Sequence, residues 1–88
     1  MPTLSIFLGI IITMYQEQGG RHHKPHVHAK YAEHEAVYDL DGNLIEGNLP
    51  RKQSKLVEAW ILLRADDLKT NWELIQNGKA HYKIEPLN

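Results

Sequence analysis

The sequence contains no cysteine, and that absence removes disulfides, thiolate metal sites and cysteine nucleophiles at one stroke. Any transition-metal site must then be built from histidine and carboxylate. It also lacks an excess of either charge, with ten Lys and Arg set against eleven Asp and Glu. No polyelectrolyte partner such as DNA is indicated, and the apolar content is too high for a disordered chain. Long hydrophobic runs are missing too. The longest, Leu4 to Met14, spans eleven residues and contains Ser5, Gly9 and Thr13, whereas a membrane helix needs about 18 or more. No basic residue precedes it and no small-residue cleavage site follows, so it reads as a buried strand, not a leader. Together these absences describe one small domain for a reducing cytoplasm, with no membrane role.

What the chain has in abundance is histidine in one place. Between His22 and His34 lie five of its six histidines. On an extended segment His26 and His28 leave the backbone on the same side, their Cβ atoms roughly 7 Å apart. Two such imidazoles can lean toward a shared ion at about 2.0–2.1 Å. His22, four residues before His26 and upstream of Pro25, can fold in from the loop as a third ligand. The expected metal site is therefore His22, His26 and His28, holding a divalent transition ion such as zinc, nickel or copper.

The remaining pattern predicts a scaffold. Leu4 to Tyr15 reads as one strand, with Ile6, Leu8, Ile10, Ile12 and Met14 on one face and Gly9 marking a bulge or a close backbone approach. Gln16 to Lys24 is a polar loop. Pro25 suits the first residue of a second strand, 25–32, whose Val27, Ala29 and Tyr31 go to the core while His26 and His28 face the open side. A turn around Glu33 and His34 leads to a third strand, 35–40. Asp41-Gly42 predicts a type I′ hairpin into a fourth strand, 43–46.

From Pro50 to Asn77 the residues favour helix, with Leu56, Trp60, Leu63, Leu68, Trp72 and Ile75 at helical spacing. The stripe shifts phase near residue 65, where Asp66 can cap a second helix; one kinked helix and two helices both fit. Gly78 ends the run. The tail packs back or adds a short edge strand. The predicted fold is α+β: a four-stranded antiparallel meander with the C-terminal helix on one face, burying Ile6, Ile10, Val27, Val37 and Leu44.

The opening Met1 to Tyr15, then Pro25-His26-Val27-His28-Ala29, Asn71-Trp72-Glu73-Leu74 and Ile84-Glu85-Pro86-Leu87, resemble the bacterial domain-of-unknown-function family 4160. Its members commonly read His-x-Pro-Pro-His-x-His-Ala, which places His22, His26 and His28 on the pattern's histidines. Lys24 stands where the first proline is usual, leaving that loop less rigid. The resemblance implies a protein partner, a family 2442 protein encoded nearby, in a module of toxin–antitoxin type.

Two functional expectations follow. The first is an interaction or regulatory domain carrying the three-histidine metal site, with a protein partner or a second copy docking at an open strand edge. The second uses the same histidines as general acid and base, oriented by Glu35, Asp39 or Asp41, in a hydrolase or ribonuclease. No serine sits in a nucleophile elbow, and no catalytic residue is assigned.

Overall fold

The computed structural model describes residues 3–17 and 24–87. Five strands form one sheet in the order β1 (Thr3–Phe7), β2 (Ile10–Thr13), β3 (His26–Tyr31), β4 (His34–Asp39) and β5 (Leu44–Asn48), every neighbour antiparallel. Two helices follow, α1 (Arg51–Leu63) and α2 (Ala65–Gln76). The α+β meander is as expected, with one strand more than the predicted four.

The extra strand comes from the Leu4–Tyr15 run, which is a hairpin and not a single strand. Leu8 and Gly9 form its loop with φ of 51° and 80°, the positive pair that a type I′ turn demands. Phe7 pairs with Ile10 across this turn, so inward-facing parity changes there. Ile6 therefore points outward and is 59% exposed, while Phe7, Ile10 and Ile12 are buried. Leucine is a poor signal for such a turn, and apolar residues on both sides hid it.

The β4–β5 hairpin also departs from expectation. Only Gly42 has positive φ, at 89°, so the turn is not type I′. The Asp39 N–H donates to the Asn43 carbonyl (2.9 Å) and the Gly42 N–H to the Asp39 carbonyl (3.2 Å). The Asp39 carboxylate accepts the N–H groups of Asp41 and Asn43, both at 2.9 Å, and this local bonding sets the turn. Further on, Ile45 bulges from β5, since Val37 opposes Glu46 and Tyr38 opposes Leu44. At Gly47 (φ 70°) a Cβ would collide with the Glu35 carbonyl oxygen.

The helical region resolves into two helices, broken at Arg64. Asp66 is not the cap; it lies with Asp67 in the first turn of α2, where acidic side chains complement the helix dipole. Gly78 closes α2 as expected, with φ 70°, Lys79 N–H donating to Leu74 O (2.8 Å) and Gly78 N–H to Ile75 O (3.1 Å), a Schellman pattern. The tail packs back: Ile84 N–H donates to Leu4 O (2.8 Å), and the Trp60 indole N–H to Glu85 O (2.8 Å).

The helices cover one face of the sheet, where Phe7, Ile10, Val27, Ala29 and Tyr38 are buried with Val57, Trp60, Ile61 and Leu68. Of the expected sheet partners, Ile10 and Val27 are there. Leu44 is exposed, and Val37, although buried, lies opposite His28 and Glu46 on the other face, because β4 turns Ala36 and Tyr38 inward.

Candidate metal centre

The register of the sheet decides where the histidines stand. β3 pairs His28 with Thr13 on β2 and with Val37 on β4, and it pairs His26 with Asp39. The two rings do approach one another, with centroids 5.4 Å apart and planes at 62°. They do not share one exposure.

His26 is 1% exposed, contrary to the expectation that both rings face the open side. The C-terminal half of α2 reaches the end of the sheet and closes over it. There the Gln76 side-chain amide donates to Tyr15 O (2.9 Å), its oxygen accepts the Glu17 N–H (2.9 Å), and Trp72 packs on the His26 ring at 5.3 Å. Nδ1 of His26 donates to the Lys24 carbonyl (2.6 Å), which fixes the tautomer. Nε2 then faces Glu17 Oε1 at 3.1 Å. In a neutral ring that contact sets a lone pair against a carboxylate oxygen, so it calls for a positive charge between them, either a proton or a cation.

The His28 side chain is 20% exposed and lies edge-on to Tyr15, centroids 4.7 Å apart. Both its ring nitrogens are shielded from solvent and have no hydrogen-bond partner among the described residues. The nearest carboxylate oxygen, Glu35 Oε2, stands 3.6 Å from Nδ1, too far for a hydrogen bond. Burial, and after it the neighbouring His26, lower its pKa, against the opposing pull of Glu35 and Glu17. The ring is thus kept in the neutral form that ligates metals.

One ligand atom each from Glu17, His26 and His28 falls within 4.8 Å of the others. Two donors bound about 2.0–2.1 Å from one ion stand about 3.0–3.4 Å apart, so the 3.1 Å His26–Glu17 contact already has that spacing, with the His28 donor within 4.8 Å of both. The Lys24 carbonyl behind His26 is the kind of outer partner that orients a ligating histidine. His22 and His23 lie outside the described residues. Glu17 was missed by sequence reasoning, although it is the one acidic residue in the loop leading to the histidines. Of the carboxylates expected to orient them, Glu35 stands beside His28, whereas Asp39 is engaged by its turn and by Lys24 Nζ at 3.2 Å. His34 is half-buried beside Glu33, and His81 is an exposed tail residue.

Fold and site together define a small α+β meander domain with a two-histidine, one-carboxylate donor set. The chain belongs to the family described as Domain of unknown function (DUF4160), whose model matches residues 9–73, from the first hairpin turn well into α2 and including all three donors. No curated protein and no solved structure matches the chain. No helix among the described residues is long and apolar enough to cross a membrane.

Proposed function

We propose that this domain binds a divalent transition metal through Glu17, His26 and His28, and that it serves as a metal-responsive interaction module of the bacterial cytoplasm. The observation that carries this reading is the convergence of the three donors, one of them a histidine whose ring nitrogens have no hydrogen-bond partner among the described residues. A buried polar group left without a partner costs about 1–3 kcal/mol, a cost that coordination removes. Imidazole-rich sites favour zinc, nickel and copper over harder ions. His22, four residues before His26, is the candidate for a further ligand. The partner is a family 2442 protein or a second copy of this chain, docking on β5, an edge strand whose residues are all exposed.

Metal content decides the matter. Protein purified without a histidine tag and equilibrated with zinc should hold close to one ion per chain by elemental analysis. The His26→Ala, His28→Ala double variant should hold none, and His28→Gln and Glu17→Gln, checked for folding by circular dichroism, should lose affinity at least about tenfold. Wild-type protein that takes up no zinc, or folded variants that keep it, would overturn the proposal. His22→Ala tests the loop separately: a loss of affinity makes it a ligand, and unchanged affinity removes it from the site.

A further inference from the structure

The open face of the sheet carries two depressions that share the His28 ring. One of about 340 Å³ lies toward Val37 and Glu46, and one of about 450 Å³ is lined by Ile11, Thr13, Tyr15, His28, Lys30 and Glu35 among others. The larger is of a size that takes a small ligand. Its wall combines an apolar part, Ile11 and the Tyr15 ring, with hydroxyl donors and one cation. Lys30 makes no ion pair among the described residues, even though Glu35 is its cross-strand partner.

A metal held by two histidines and one carboxylate has three protein donors and keeps coordination positions for outside ligands. Of the three donors, His28 lines the 450 Å³ cavity, beside Lys30 and Tyr15, whose ring lies edge-on to the imidazole. We infer, building on the metal site proposed above, that the bound metal and Lys30 together take a small carboxylate from this cavity, one able to chelate through its carboxylate and an adjacent oxygen. A divalent ion offset by Glu17 and Glu35, with Lys30 added, leaves one net positive charge for it to meet. Lys30 follows His28 by two residues on the same face, with Cβ atoms about 7 Å apart, within reach of a flexible four-carbon stem. A short carbon chain uses the Ile11 and Tyr15 wall; inorganic phosphate would leave it uncovered.

The test is the visible spectrum of cobalt(II)-loaded full-length protein titrated with sodium pyruvate, with inorganic phosphate as a second arm. Cobalt(II) uptake, measured first, reads the metal site alone; if none binds, the metal proposal and this inference fall together. With the metal bound, pyruvate should produce a saturable shift of the cobalt bands. Lys30→Gln, at an exposed position, should weaken pyruvate about tenfold, the worth of one charge-assisted contact, and leave cobalt affinity within twofold. Glu35→Gln should tighten it. A bound metal whose spectrum ignores pyruvate overturns this inference and leaves the metal site standing. Pyruvate affinity unchanged in Lys30→Gln overturns it as well, and so does phosphate binding more tightly than pyruvate.

Discussion

The two faces of the sheet obey different rules. On the face under the helices, apolar side chains interlock and the polar groups of the two largest buried side chains, Trp60 and Tyr38, have found partners. The Tyr38 hydroxyl meets Ser54 Oγ at 2.7 Å, and the Trp60 indole N–H donates to the Glu85 carbonyl. On the other face both His28 ring nitrogens are buried without a hydrogen-bond partner among the described residues, and Lys30, two residues on, makes no ion pair among them. Stability accounts for the first arrangement and gives no reason for the second. A fold that needs only one face for its core leaves the other available for chemistry, and changes on the two faces should therefore have separable effects.

The largest effect expected from breaking this contrast is at Trp60, which is fully buried and lies 5.3 Å from the Phe7 ring. Trp60→Ala should cost about 3–5 kcal/mol in urea unfolding, a large part of the 5–15 kcal/mol that small domains possess. His28→Ala should do the reverse: lose the metal and leave the stability of the metal-free protein unchanged or slightly raised, since it deletes two unsatisfied nitrogens. If His28→Ala instead destabilised the metal-free protein as much as Trp60→Ala, the division of labour between the faces would be wrong.

Asp39 sharpens the comparison, because it lies across from His26 and yet is fully satisfied. Burial alone would raise its carboxyl, but the Asn43 N–H, the Lys24 ammonium, the Asn43 amide and the Asp41 N–H together outweigh burial and hold it below its usual 3.8. The stabilisation is therefore complete above pH 3.8 and lost as pH falls through the lower folded value. His28 is depressed as well, but as a base: its unfolded form binds a proton first, so metal-free stability declines as pH drops below 6.5. Thermal unfolding across pH should show two acid limbs, the upper absent in His28→Ala and the lower absent in Asp39→Asn. Asp39→Ala should in addition cost about 2 kcal/mol by leaving the turn donors unpaired.

Much of this was legible in the sequence, for reasons that also explain the misses. β3 and its histidine spacing could be read because Pro25 fixes a strand start and Val27 and Ala29 fix parity. The Gly78 stop could be read because glycine alone signals a left-handed cap. Glu17 could not, since its place beside His26 depends on Gln76 and Trp72 closing the end of the sheet, and the Gln76 contact to Glu17 spans 59 residues of sequence. The burial of His26 was missed for the same reason. Strand periodicity assigns a residue to a face but says nothing of a helix that reaches past the sheet's end. The first hairpin was missed because its turn uses Leu8 where Asn or Asp would announce it.

That last miss yields the smallest effect and a control on the others. Leu8 holds φ of 51° while its side chain is 60% exposed, so it bears a left-handed conformation with little burial in return. For an L-residue with a Cβ branching onward this costs about 1–2 kcal/mol relative to its ordinary backbone regions, and asparagine tolerates it better. Leu8→Asn would create the Asn-Gly pair that type I′ turns prefer and should stabilise by about 0.5–1 kcal/mol, raising Tm by about 2–8 °C. Ala32, at φ 53° in the β3–β4 turn, should respond to glycine in the same direction. Neither residue touches Glu17, His26 or His28, so zinc affinity should stay within twofold of wild type. A rise in Tm with unchanged affinity would place the turn's strain on the side of the fold alone; a fall would mean that the exposed Leu8 side chain contributes packing that its exposure does not reveal.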